Sequence, residues 1–128
     1  MIKKTVEIEG RELTFASSGY LPFVYRKLID RDLIKDMSRL MKAYKKLQSL
    51  PEDAPEEEVL DAQLNIVDLR TFADVAWTML RYAGEDVGES ADEWLESLDG
   101  PFSFMQVMPV VMDLWALENK TTAVPAKK

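Results

Sequence analysis

The sequence predicts a mainly α fold with a small N-terminal β-hairpin, an α+β arrangement of compact helical body and trailing polar tail. Two observations carry that prediction. Apolar and polar residues alternate with period two only near the start, in "KTVEIEGRELTF", as a half-buried strand pair requires. From Leu21 onward apolar residues instead recur at steps of three and four, the spacing of one helix face. At 128 residues, 47% of them hydrophobic, the chain has enough apolar surface for one core. The reading is one domain over 1–118, with a hairpin at about 4–16, and a disordered tail over 119–128.

Each element has its own local reason. In the hairpin, Val6 and Ile8 alternate with charged residues, as do Leu13 and Phe15, and Gly10 sits between the runs where a tight turn needs positive φ. Pro22 suits the first turn of a helix over Tyr20 to Ile29, where its missing N–H is not needed. Asp30 or Asp32 can cap a new start. The next helix places Leu33, Ile34, Met37, Leu40, Met41, Tyr44 and Leu47 on one face, and Lys35, Asp36, Arg39, Lys42, Lys45 and Lys46 on a solvated one. "PEDAPEEE" reads as a linker, after which one long helix runs from Glu56 to about Ala83. Phe72, Ala76, Met79 and Leu80 line one side of it while Val75 and Trp77 fill another, so this helix should be central in the domain or buried by a partner. Gly84 is a natural stop. Ser90 and Glu93 have capping-box spacing and start a short helix with Trp94, Leu95 and Leu98 inward. A last helix follows Ser103 and carries Pro109, and from about Asn119 the composition turns polar.

Charge and composition exclude several classes. The net charge of -7 and a pI near 4.6 disfavour nucleic acid, whose phosphates demand Lys and Arg, and also disfavour anionic membrane surfaces. No apolar run approaches the roughly 20 residues that span a bilayer. The N-terminal lysines lack a following apolar stretch, so the start does not read as a signal peptide and the chain reads as cytosolic. There is no Cys and no His, which removes disulfides, thiol nucleophiles, the commonest general base and the commonest metal ligand. Phosphate loops, nucleophile elbows and dinucleotide fingerprints are absent. The acidic groups Glu56, Glu57, Glu58 and Asp61 lack the spacing of a calcium loop and complement a helix dipole without any metal. Asp92, Glu93 and Glu96 read as solubilising acids. The expectation is no catalytic residue, no cofactor and no metal.

One stripe invites a partner. Met105, Met108 and Met112 fall at i, i+3 and i+7 on the last helix, with Trp115 one turn on. Flexible Met side chains suit surfaces that accept varied apolar partners, although the same spacing serves an ordinary core. Met105, Met108, Met112 and Trp115 are therefore the candidate partner-binding residues.

Four segments in this order carry a family resemblance: "VEIEGRELTF", "YRKLIDRDLIKDMSRL", "DEWLESLDGPFSFMQVMPVVMDLW" and "LENKTTAVPAKK". Spread from Val6 to Lys128, they carry a resemblance over nearly the whole chain to the tail assembly chaperones of long-tailed bacteriophages of Gram-positive hosts. The resemblance implies a non-enzymatic protein of the infected cell's cytoplasm, absent from the mature virion. It implies binding to the tape measure protein, and recruitment of major tail protein through a frameshifted longer form. It leaves self-association open. Other readings of the residues are a helical adaptor or head–tail connector component, and an acidic inhibitor that mimics DNA. Against mimicry, acids alternate with Lys and Arg in "RKLIDRDLIKD" rather than forming a phosphate-like ribbon.

Overall fold

The computed structural model describes residues 1–48, 66–100 and 104–123, with backbone alone at 46–48, 66–67, 104–105 and 117–123. Among these residues the order is β1 (Ile2–Ile8), β2 (Arg11–Ser17), α1 (Leu21–Ile29), α2 (Leu33–Gln48), α3 (Ile66–Tyr82), α4 (Ala91–Ser97) and α5 (Phe104–Ala123). The mainly helical fold with an N-terminal hairpin is as the sequence predicts.

β1 and β2 pair antiparallel with Ile8 opposite Arg11 and Ile2 opposite Ser17. Two residues therefore close the turn, and both have positive φ, 54° at Glu9 and 80° at Gly10, as a type I′ turn requires. Gly10 takes this conformation freely, whereas Glu9 is strained by it. The Glu9 carboxylate answers by accepting the N–H groups of Asp99 at 2.9 Å and Gly100 at 2.8 Å, which ties the turn to the loop after α4. The strands extend beyond the expected 4–16 because Ile2 and Lys3 also find partners.

α3 is the hub. It packs against β2, α1, α2, α4 and α5, and every residue from Thr71 to Leu80 is buried. A helix apolar on several sides has to be surrounded, and this one is. It stops as predicted at Gly84, where φ is 94°. The Gly84 N–H reaches the Arg81 carbonyl and the Glu85 N–H reaches the Leu80 carbonyl, both at 3.0 Å, the two bonds of a Schellman motif. The part of this helix expected at 56–65 lies outside the described residues, as do Glu56, Glu57, Glu58 and Asp61.

The junctions between helices are capped by side chains. Asp30 ends α1 in a left-handed conformation, and the Asp32 carboxylate accepts the Ile34 N–H at 2.9 Å to start α2. The Ser90 hydroxyl accepts the Glu93 N–H at 3.2 Å, while the Glu93 carboxylate returns to the Glu89 N–H rather than to Ser90 itself. Ser103, expected to cap α5, lies outside the described residues.

Two sequence expectations need correction. On α2, Ile34 is 61% exposed and Asp36 only 8%, the reverse of the predicted faces. Leu33, Met37 and Leu40, at i, i+4 and i+7, already fill the narrow contact, and Asp36 is drawn inward by partners on α1 and the turn beyond it. Secondly, α5 continues to Ala123 with Pro109 inside it, so the boundary expected at Asn119 falls within a helix. Nothing from Asn119 to Ala123 breaks one. Val124 to Lys128 lie outside the described residues.

Candidate functional site

Met108, Met112 and Trp115 of the stripe are core. α5 lies against both strands of the hairpin and against α3. This contact leaves Met108 at 0% exposure, Met112 at 7% and Trp115 at 9%. The expectation that the stripe serves a partner is thus corrected for these three. The hairpin's inner residues Ile8, Leu13 and Phe15 need an apolar surface to rest on, and α5 provides part of it. The Met105 side chain lies outside the described residues.

The chemistry-bearing groups gather elsewhere, where α1, α2 and α3 meet. Arg31, in the turn after α1, donates to Asp36 at 2.9 Å, to the Tyr25 hydroxyl at 2.9 Å and to Asp74 at 2.7 Å. The Tyr25 hydroxyl in turn donates to Asp36 at 2.6 Å. Asp74, on the buried central helix, also pairs with Arg70 at 3.4 Å, and Arg70 reaches Asp92 on α4. One turn away, Arg39 bridges α2 to Asp68 at 3.0 Å and to the Thr71 hydroxyl at 2.9 Å. Burial, and then the hydrogen bond to Asp36, push the Tyr25 hydroxyl well above its ordinary value, so it stays a neutral donor. Partial burial works against the Arg31 charge, but the bonds to Asp74 and Asp36 outweigh it and hold the guanidinium protonated. The two buried carboxylates are thus both engaged by arginine, and the arrangement locks four helices together instead of presenting a free base. Sequence reading missed it because Arg31, Asp36 and Asp74 each look like ordinary surface charges. The one available signal was Asp74 itself, a lone acid amid the apolar run "FADVAWTML".

Beside this network lies a cleft of 250 Å³ lined by Leu28, Ile29, Arg31, Arg70, Asp74 and Trp77, among others. That is below the roughly 300 Å³ at which small-molecule pockets begin. The Trp77 ring carries the Arg81 guanidinium over one face, 5.5 Å from its centroid. Its indole N–H is buried without a hydrogen-bond partner.

The cleft's rim is apolar on one side. Among the described residues the exposed large apolar side chains are Met1, Tyr20, Phe23, Leu28 and Ile34. Four of these five fall between Tyr20 and Ile34. Tyr20 and Phe23 stack, with centroids 5.5 Å apart, and Leu28 is shared with the cleft. α1 turns only Leu21 and Tyr25 fully inward and leaves Val24 and Ile29 half-buried, so Phe23 and Leu28 are its exposed large apolar residues. Single exposed apolar residues are ordinary, and among these four Tyr20 and Phe23 form a stacked pair at the start of α1. Sequence reading had this segment as helix but did not separate its two faces.

Among the described residues, no helix is long and apolar enough to cross a membrane. No family model, curated protein or solved structure matches the chain.

Proposed function

We propose that this protein is a tail assembly chaperone of a long-tailed bacteriophage. It holds the tape measure protein soluble in the host cytoplasm and helps bring major tail protein to it, without entering the mature virion. Delivery of major tail protein would fall to a frameshifted longer form. The role is binding, with no catalytic step. The ordered sequence segments that resemble this family suggest the client. The observation that carries the binding mode is the exposed apolar set Tyr20, Phe23, Leu28 and Ile34. A long helical client offers apolar side chains at i, i+3, i+4 and i+7, and such a face docks on an apolar patch rimmed by charge. Arg26, Lys27 and Lys35 supply that rim, all exposed. The chain as a whole has a net charge of -7, which opposes indiscriminate clumping.

The test is binding of a purified tape measure fragment to the protein and to Phe23→Ser with Leu28→Ser. The double variant should bind about tenfold or more weakly, the loss expected when two apolar anchors go, while its urea midpoint holds. Unchanged binding in the folded variant removes this surface as the client site.

A further inference from the structure

The two edges of the hairpin are treated differently by the rest of the molecule. With a two-residue turn and Ile8 opposite Arg11, the turn-flanking pair and every second pair after it exchange ladder hydrogen bonds. Glu7 with Glu12, Thr5 with Thr14 and Lys3 with Ala16 are then the pairs whose N–H and C=O groups point away from the partner strand. Two contacts agree with this. The Thr14 N–H donates outward to the Glu85 carboxylate at 2.6 Å, and the Glu7 carbonyl accepts outward from Gln106.

On the β2 side α3 packs against the strand, Ala16 and Ser17 are fully buried, and Glu85 from the loop after α3 takes the outward Thr14 N–H. On the β1 side, among the described residues, the N–H and C=O of Lys3 and Thr5 and the N–H of Glu7 have no hydrogen-bond partner. Their side chains are exposed. An open edge is a template for another strand.

We infer that this edge pairs with the same edge of a second copy, antiparallel and two-fold symmetric about Thr5, forming a four-stranded sheet with β1 strands at its centre. The charges select the occupant, and they select this register over those centred on Lys3, Lys4 or Glu7. A two-fold at Thr5 sets Lys3 of each copy opposite Glu7 of the other, two opposite-charge cross-strand pairs on the solvent face. Moving the two-fold to Lys4 sets Lys4 against Lys4. Moving it to Lys3 or to Glu7 sets like charges together as well. Lysines normally guard an edge against pairing, and only a partner with an acid at the matching position turns Lys3 from guard to contact. This strand carries that acid itself. The chosen register also puts the outward groups of Lys3, Thr5 and Glu7 in hydrogen-bonding positions. At Glu7 the carbonyl oxygen has two acceptor positions, so it can keep Gln106 and accept the incoming Lys3 N–H. Thr5 of each copy meets the other at the axis, and Thr5 already shares a 3.0 Å hydroxyl contact with Thr14, so a threonine ladder would cross the sheet. This inference stands apart from the client reading, because the edge and the Tyr20–Ile34 surface share no residue.

Sedimentation equilibrium of the full chain in 0.15 M salt tests it, since net charge is screened beyond about 8 Å there. A monomer–dimer equilibrium is expected. Lys3→Glu alone and Glu7→Lys alone should each weaken the dimer roughly tenfold or more, by making two like-charge pairs. The double swap Lys3→Glu with Glu7→Lys should restore it. Thr5→Pro removes an edge N–H that the hairpin's own ladder does not use, and should give a folded monomer by circular dichroism. A chain monomeric up to about 1 mM, the weak limit of specific association, overturns the inference. So does a dimer that survives Thr5→Pro, or one that the double swap fails to restore.

Discussion

Met108 and Met112 on α5, and Phe23 and Leu28 on α1, are all large apolar side chains on helices. The first pair is at most 7% exposed, while the second is 64% and 39% exposed. The difference lies in what each helix has for neighbours. α5 has the hairpin on one side and α3 on another. α1 has α3 and α2, and its nine residues turn only a narrow stripe toward them. An apolar side chain is therefore core or contact surface according to how many elements share its helix. The Met-rich helix, the more suggestive in composition, is the one already used.

The sharpest way to break this comparison is to make the same kind of polar change at both places. Met108→Ser with Met112→Ser should cost about 2–5 kcal/mol per site, as for other large core truncations that also bury a hydroxyl. Against a total stability of about 5–15 kcal/mol, that leaves the double variant unfolded or close to it. Phe23→Ser with Leu28→Ser should stay within about 0.5 kcal/mol per site, as exposed substitutions do. Urea titration of both double variants reads the contrast directly. Equal losses would mean that the α1 surface is packed and that the client site must be sought elsewhere.

How much of this was legible beforehand follows the same division. Period-two alternation finds the hairpin, and apolar residues on two sides of one helix narrow it to the domain's centre or a partner's cover, because both patterns are local. Gly84 and the Ser90–Glu93 spacing place ends correctly, and Asp32 is the one of the two candidates, Asp30 and Asp32, that caps α2, since caps act within a few residues. What stayed hidden depends on elements distant in sequence. Asp36 and Asp74 are 38 positions apart, and only the fold brings both to Arg31. Ile34 fits the apolar period of α2 yet ends up outside, since periodicity says nothing of how wide a neighbour is. The open edge at β1 could not be read either. It depends on α3 packing against β2 and on Glu85, 71 residues from Thr14 in sequence, taking the Thr14 N–H there.

A smaller effect should come from the charged junction that keeps α1 in place and so fixes which of its faces is outward. Arg31→Met removes the partner shared by Tyr25, Asp36 and Asp74. The side chain of Asp74 is 4% exposed and that of Asp36 11%, so both carboxylates remain in a poorly solvated place. Breaking a fully buried pair costs about 3–5 kcal/mol. Here Arg31 is 40% exposed and Arg70 still reaches Asp74, so about 2–3 kcal/mol is expected, nearer the cost of an unsatisfied buried group. A urea midpoint unchanged from the parent would show that the network is incidental to the packing of α1. The Phe23 surface should also lose order in this variant, which faster amide exchange along α1 would reveal.

The smallest effect belongs to the tether that helps hold the hairpin over α5, and it can be read by pH. The Glu9 carboxylate accepts two backbone N–H groups, from Asp99 and then Gly100, and these hold its pKa below the ordinary value. A carboxyl whose folded pKa is depressed adds stability above its unfolded pKa of about 4.3, and that stability is lost as pH falls through the folded value. Glu9→Gln keeps the length and the strained turn but removes the charge. At pH 7 its melting temperature should lie slightly below that of the parent. The gap should narrow as pH drops below about 4 and close once Glu9 is protonated in both states of the parent. The Asp99 and Gly100 amides should exchange faster in the variant at neutral pH. A gap that persists unchanged into acid would mean that the substitution acts through the turn backbone rather than through the carboxylate. In that case the hairpin is held over α5 by the packing of Ile8, Leu13 and Phe15 and not by Glu9.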